Sequence, residues 1–491
     1  MTAATGIAPA SIAPASIAID AVDLFERPVV LRMPFRFGIV TLTHAPQVFL
    51  RLRLADGTTG IAAEMLAPKW FDKNPGLSNE QNFDQLRRSL ALAAERYLAG
   101  PQGLAPFALH ARHEADHHAA CAAEGLNGLV AGFGLALLDR AVIDALCRRD
   151  GMSVFRAVAG NALGIDAATA PDLQGFDIDG FLAGLRPAGR IEARHTVGLV
   201  DSLTDAGIPP DRRVGDGLPE SLEAAVAAYG LRSFKLKVQG DIDADLERLC
   251  GIAAVIDRQP APYRSTLDGN EQYKAPEAVL ELWHRIAEEP RLERLRASIL
   301  FVEQPIARSA ALEAPLGALA EAVQVEVDES DADIDVFPRA KALGYSGISS
   351  KSCKGFYRAL LNRARVAAWN AAEPGGRYFM SAEDLTTQAG IAVQQDLALA
   401  TLIGCTHVER NGHHYVDGMA GAPQAEQDAF LAAHPDIYHR ADGPKGSGRA
   451  RLHIAGGSIA IGSLDIPGLG VGPLPDWAAM DPMPRPGKVT P

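Results

Sequence analysis

SILFVEQP (298–305) and VQVEVDES (323–330) decide how this chain is read. Each is a short apolar run with little solvent-facing alternation, and each ends in acid: Glu303 in the first, Asp328 and Glu329 in the second. Strands buried on both faces have this texture, and they belong to parallel sheets covered by helices. The same texture recurs outward at TVGLVD (196–201), RSFKLKV (232–238), YRSTLDGN (263–270), YSGISSKS (345–352), RYFMSAED (377–384) and THVERNG (406–412), giving eight candidate strands with helical segments between them. From Lys235 to His407 the repeat is about 29 residues, close to the ~31 of a (β/α)8 barrel of ordinary size. Residues 191–431 are therefore predicted to form a (β/α)8-type barrel in an α/β protein.

The remainder is read as an N-terminal cap and a tail. AVDLFERPVVL (21–31) and QVFLRLRLADG (47–57) are strand-like, with Asp56-Gly57 as a turn. RMPFRFGIVTLTHAP (32–46) and AEMLAPKWFDKNPG (63–76) read as loops that bring Phe35, Phe37 and Gly38, then Lys69 and Trp70, over a site. FGLALLDRAVIDALCRR (133–149) has helical spacing, with Leu137, Leu138, Ala141, Val142, Ala145 and Leu146 on one face and Arg148-Arg149 in the last turn. Residues 21–190 thus form an α+β capping domain. Residues 1–20, rich in Ala, Pro, Ser and Ile without a basic run, read as a flexible extension rather than a signal peptide. Residues 432–491 lose the repeat and are expected to return to the cap and complete it. The glycines of GLGVG (468–472) and GPKGSG (443–448) do not sit between a strand and a helix, so they read as turns and not as nucleotide loops.

Composition narrows the partners. The 491 residues are 47% apolar and 22% charged, with a net charge of −13 and no basic block. Nucleic acid and an anionic membrane are disfavoured as partners, whereas a small carboxylate substrate fits a locally positive site. The five cysteines are scattered without a CxxC pair, so neither a disulfide framework nor a structural zinc site is expected. No apolar run approaches the ~20 residues of a membrane span. The expected setting is cytoplasmic and the expected assembly a homo-oligomer.

Strand ends carry the chemistry of a barrel. In order they are Lys235 and Lys237, Asp268-Gly269-Asn270, Glu303-Gln304, Asp328-Glu329, Lys351 with Lys354 close by, and Glu383-Asp384. Any one of these alone is a solvated strand end. Together, three successive carboxylates offer hard oxygen ligands suited to octahedral Mg²⁺. Lys235 and Lys237 are two apart and so point the same way, into the barrel, and Lys351 ends a strand across the mouth. A bound cation would stabilise the dianionic enediolate formed when the proton next to a carboxylate is removed. A lysine beside a second ammonium has its pKa pushed down, as a base at neutral pH requires.

The order KxK, DxN, EQP, DES, Lys, Glu resembles the enolase superfamily, most closely its muconate-lactonizing-enzyme branch, over almost the whole chain. The resemblance implies Asp268, Glu303 and Asp328 as magnesium ligands, Lys237 as the base on one face with Lys235 as its neighbour, Lys351 as the base on the other face, and Glu383 as the acid after the seventh strand. The family's Gly-Gly after the sixth-strand lysine is replaced here by KSCKGF (351–356), which leaves Lys354 as an alternative base; Lys351 is nearer the strand. No His stands at the seventh-strand end, so the His-Asp dyad of the mandelate racemase branch is absent. Asn270, Phe37, Lys69, Trp70, His413 and His414 are the candidate substrate contacts.

His110, His113 and His117 share a helix face that reads as a solvated stripe rather than a zinc site. Racemisation or epimerisation of a small carboxylic acid is the leading expectation, with cycloisomerisation or dehydration by the same half-reaction as the alternative. A Schiff-base aldolase using Lys237 or Lys351, or a non-catalytic barrel, are the readings from other classes.

Overall fold

A computed structural model describes residues 12–37, 40–373, 375–442 and 446–487. The chain starts with an antiparallel meander, β1 (Ile19–Phe37), β2 (Val40–Leu54) and β3 (Thr59–Met65). Asp56 and Gly57 make the β2–β3 turn: Gly57 has φ +89°, and the Asp56 carboxylate accepts the Thr58 N–H at 2.8 Å. The segment expected as a loop, 32–46, is instead paired along the β1–β2 hairpin, with Phe35 opposite Leu42 and Phe37 opposite Val40. Its alternating Phe35, Phe37 and Leu42 bury one face, which is strand behaviour. The register shifts between Val30 and Phe35, where Pro34 has no N–H to give. Gly38 lies outside the described residues.

Three helices cover the meander: α1 (Asn79–Ala99), α2 (Pro106–Ala123) and α3 (Gly128–Arg149). Ser78 and Gln81 form a capping box on α1, and Asn127 caps α3. α3 is buried on all sides from Leu129 to Cys147, not on one face as its spacing suggested. It lies between α1, α2 and β3 and therefore has no solvent side. Close approach is made possible by glycine: a Cβ on Gly60 would overlap the Ala141 carbonyl, and one on Gly134 would meet Ser89. The ionic groups carried inward by α3 are matched. Arg140 pairs with Glu64 at 3.1 Å, and Asp144 accepts the Ile61 and Leu469 N–H groups.

Eight parallel strands follow, β4 (Arg190–Val197), β5 (Ser233–Lys237), β6 (Arg264–Asp268), β7 (Ile299–Glu303), β8 (Val325–Val327), β9 (Gly347–Ser350), β10 (Phe379–Ala382) and β11 (His407–Arg410). They are hydrogen-bonded in the order β10-β9-β8-β7-β6-β5-β4-β11, with helices in most of the connections. β10 and β11 bring the ring round, and the Asp384 N–H donates to the Glu409 carboxylate across that seam. The first strand lies earlier than TVGLVD suggested: only Thr196 and Val197 of that stretch are in β4, and Gly198 starts the departing turn.

The tail adds β12 (Tyr438–Arg440) and β13 (Ala450–Leu452), a hairpin, then β14 (Ser458–Ala460), antiparallel to β4, and β15 (Asp481–Pro482), paired with β1. It therefore binds the barrel first and the cap afterwards. Residues 12–20 are also held, contrary to the extension expected there: Ile12 N–H donates to Gly160, Ile17 bridges Leu104, and Ile17 and Ile19 are buried. Their apolar side chains gain more by packing than the stretch gains by freedom. Among the described residues no helix is long and apolar enough to cross a membrane.

Candidate active site

Register places the site. Lys237 pairs with Asp268, Asp268 with Glu303, and Glu303 with Glu326, so consecutive strands end at one level. Asp328 stands just past β8, where its N–H donates to the Gln304 side chain at 2.8 Å. β5 and β9 are four strands apart whichever way the ring is followed. Lys237 at the end of β5 and Lys351 just after β9 therefore face the same pocket from opposite sides. Asp268, Asn270, Asp328 and Glu409 border this pocket from the barrel, and Phe35, Phe37, Leu42 and Trp70 close it from the cap. The Lys351 ammonium is 5.2 Å from the Trp70 ring centre.

Lys235 lies at the centre of the barrel. Its Nζ is 3.0 Å from Asp268, 2.7 Å from Glu303 and from Glu383, and 2.9 Å from Glu409. Lys237 binds Asp268, and Lys351 binds Asp328 at 2.9 Å. Lys354 is shared between Asp328 at 3.3 Å and Asp331 at 3.0 Å. Of the two alternatives for the sixth-strand base, Lys351 borders the pocket and Lys354 does not. Below, Arg194 of β4 pairs with Glu383, both fully buried.

These contacts set the charges. Burial alone would discharge Lys235 and Lys351, but the facing carboxylates, led by Asp268 for Lys235 and by Asp328 for Lys351, hold both above the usual lysine value. Each of these two ammonium groups lies against carboxylate oxygen, at 2.7 Å for Lys235 and 2.9 Å for Lys351. Burial opposes Asp328 and Glu383 ionising, yet both stay below the usual carboxylate range, Asp328 through Lys351 and Lys354, and Glu383 through Arg194, Lys235 and Lys351. Glu303 is pushed up by burial and by Asp268 and Glu383, and Glu326 by burial and Glu383.

A divalent cation fits this donor set. Buried Asp268, Glu303, Glu326, Asp328, Glu383 and Glu409 outnumber the cations Lys235, Lys237, Lys351, Lys354 and Arg194 that touch them. Glu326 Oε2 is buried with no hydrogen-bond partner. One oxygen each from Glu303, Glu326 and Glu383 already lie within 4.8 Å of one another. That trio is not the expected Asp268, Glu303 and Asp328. Glu303 is common to both sets, while Asp268 is paired with Lys235 and Lys237, and Asp328 with Lys351 and Lys354.

The other candidates divide. Asn270 borders the pocket; its side-chain N–H donates to Glu329 at 3.2 Å, and its Oδ1 is buried without a partner. Phe37 and Trp70 are in the wall. Lys69 is not: its ammonium turns back to the carbonyls of Asn74 and Leu77. The loop lysine that reaches the barrel is Lys73, which donates to the Asn270 carbonyl at 2.9 Å and pairs with Glu271. Arg308 ties the same loop down through the Trp70 and Phe71 carbonyls. His413 and His414 point away from the pocket and contact His195. The His110–His117 stripe is not solvated: Asp139 takes both the Tyr97 hydroxyl and His110, inside the cap. Glu326, Glu409 and Arg194 were missed; Glu326 is a lone charge within the apolar strand VEV, which is itself a signal, whereas Glu409 and Arg194 stand among other charged residues of their strands.

The architecture is an α+β cap on a βα barrel, the fold of several solved structures described as enolase-superfamily proteins. No family model matches the chain, and no curated protein matches it. Among solved structures it is similar to 2-chloromuconate cycloisomerase from Rhodococcus opacus 1CP, with 18% identity, a TM-score of 0.57 and coverage of 94% of this chain and 98% of the other. It is also similar to an enolase from Bradyrhizobium complexed with magnesium and mandelic acid (18%, TM-score 0.56, 94% and 97%). A third is the dipeptide epimerase from Enterococcus faecalis V583 complexed with Mg and the dipeptide L-Leu-L-Tyr (15%, TM-score 0.55, 93% and 99%).

Proposed function

We propose that this chain is a Mg²⁺-dependent isomerase that removes and returns the proton next to the carboxylate of a small acid, giving racemisation or epimerisation. The observation that carries this reading is the placement of Lys237 and Lys351 on opposite sides of one pocket. Glu303, joined by Asp268 and Asp328 once Lys237 and Lys351 let go of them, would hold the cation, which when bound would supply positive charge to the enediolate oxygens. For either enantiomer, one of Lys237 and Lys351, freed from its carboxylate and in its neutral form, would take the α-proton on its own face, and the other, as the ammonium, would return a proton to the opposite face. Lys235 holds Asp268, Glu303, Glu383 and Glu409 in place and so acts as a positioning residue. Phe35, Phe37 and Trp70 exclude water and favour an apolar group on the substrate.

The neighbours named for cycloisomerase, magnesium–mandelate and dipeptide-epimerase structures support the shared half-reaction, and cycloisomerisation is the second reading. The test is proton NMR in D2O with Mg²⁺ against libraries of 2-hydroxy acids, N-acyl amino acids, dipeptides and lactones. Loss of one α-proton signal with inversion supports the proposal. Exchange with a new ring or vinyl product moves the chain to the cycloisomerase or dehydratase reading. An adduct trapped by borohydride at Lys237 or Lys351 would replace both with imine chemistry.

A further inference from the structure

A second cavity, of about 260 Å³, lies behind one wall of the reaction pocket. Thr386 and Asn411 face the reaction pocket, Thr387, Arg410 and Gly412 face the other side, and among the described residues none borders both. The charged side chains of the second cavity are Arg410, Arg440 and Arg451 against Asp442 alone.

Arg440 and Arg451 are committed elsewhere, to Asp428 and Asp417. Arg410 is not fully committed. It is 1% exposed; Nη2 binds Asp396 and Nε stands 3.9 Å from Asp384, while Nη1 is buried with no hydrogen-bond partner among the described residues. His413 lines the same cavity with its Nδ1 also buried and unpartnered, and its Nε2 lies 3.3 Å from His195 Nδ1. In the tautomer whose Nε2 accepts from His195, His413 Nδ1 carries a proton and is a second donor. Buried donors of this kind are normally satisfied, and two left over beside one cavity call for an acceptor.

We propose that this cavity is a second ligand site, for a small oxyanion, carboxylate or phosphate, received by Arg410 Nη1 and His413 Nδ1, which lie covered beside the cavity and turn toward it as the anion enters. It is separate from the reaction pocket but joined to it through Asp384, which approaches Arg410 and accepts the N–H groups of Asn411 and Thr387. An anion on Arg410 draws the guanidinium from Asp384 and loosens the wall that positions Asn411.

The test is calorimetric titration of the full chain at low ionic strength with inorganic phosphate and, separately, with succinate. Saturable binding of one phosphate or succinate per chain is expected, weakened at least tenfold by His413→Ala and also by Ala228→Trp, which fills the cavity from its exposed rim and leaves the buried groups untouched. Lys351→Ala should leave the binding unchanged. Whichever probe binds names the source of the oxyanion. The proposal is overturned if neither probe binds saturably, if both cavity variants bind like the parent, or if Lys351→Ala removes the binding, which would put the anion in the reaction pocket. The readout needs no turnover, so its failure leaves the proposed function standing.

Discussion

Lys235 and Glu409 meet at 2.9 Å in the middle of the barrel, one from β5 and the other from β11, with Glu303 and Glu383 bound to the same ammonium. One buried cation thereby gathers carboxylates from four strands. Of the three lysines that border the pocket, Lys237 and Lys351 are each held by a single carboxylate, Asp268 or Asp328, among the groups described above.

That asymmetry separates the lysines by role. Lys237→Ala and Lys351→Ala should each cost about 10²–10⁴-fold in exchange, the usual contribution of a positioned acid–base group. Each should spare exchange of one enantiomer of the substrate found in the D2O screen. Both enantiomers losing exchange equally in both variants would contradict a two-face mechanism.

Magnesium should stabilise the folded chain, because it binds a carboxylate excess that exists only when the strands are assembled. At a hundredfold above its Kd the gain is about 2.7 kcal/mol. Calorimetric melting with Mg²⁺ and with EDTA measures it. Glu303→Gln should abolish the difference, and a variant that kept the full Mg²⁺ shift would move the cation elsewhere.

Glu64 joins cap to barrel: it pairs with Arg140 of α3, accepts the Ser352 hydroxyl at 3.0 Å, and shares Arg140 with Gln395. Arg140→Met leaves Glu64 buried without its cation, a loss of about 3–5 kcal/mol. Urea unfolding reads it, and the double variant Arg140→Met with Glu64→Leu should recover most of the loss. No recovery would show that shape and not charge dominates at this junction.

Acid should weaken the fold through buried neutral histidines. Burial above all holds His195 and His117 down to about 4 from an ordinary 6.5. Between those values the unfolded chain binds protons that the folded chain refuses, so stability falls as pH drops from 6.5 and stops falling near 4. The cost is about 3 kcal/mol for each ring at the low end. Melting temperatures of the parent and of His195→Gln across pH 7 to 4 test this; parallel curves would remove His195 from the account.

What could be read along the chain was periodic or local. Strand ends are legible because parallel strands are short, apolar and evenly spaced, so Lys237, Asp268, Glu303, Asp328 and Lys351 could be placed on one rim. The Asp56-Gly57 turn is legible because its chemistry lies within the turn itself. The hairpin at 32–46 was not, because its strands are specified by pairing with each other across a register shift at Pro34. Nor was the choice of Lys73 over Lys69, since four residues of loop decide which ammonium faces the barrel and which turns back on the loop's carbonyls. Glu326, Glu409 and Arg194 are charges whose partners lie on other strands, and His413 and His414 lost their place at the pocket because the turn after β11 aims them at His195. The sequence by itself determined the strand rhythm and the kinds of group at the strand ends, because both are properties of neighbours along the backbone. Tertiary structure alone decided which of those groups face one another, because that depends on ring closure and on loops whose direction is set by residues far away in the chain.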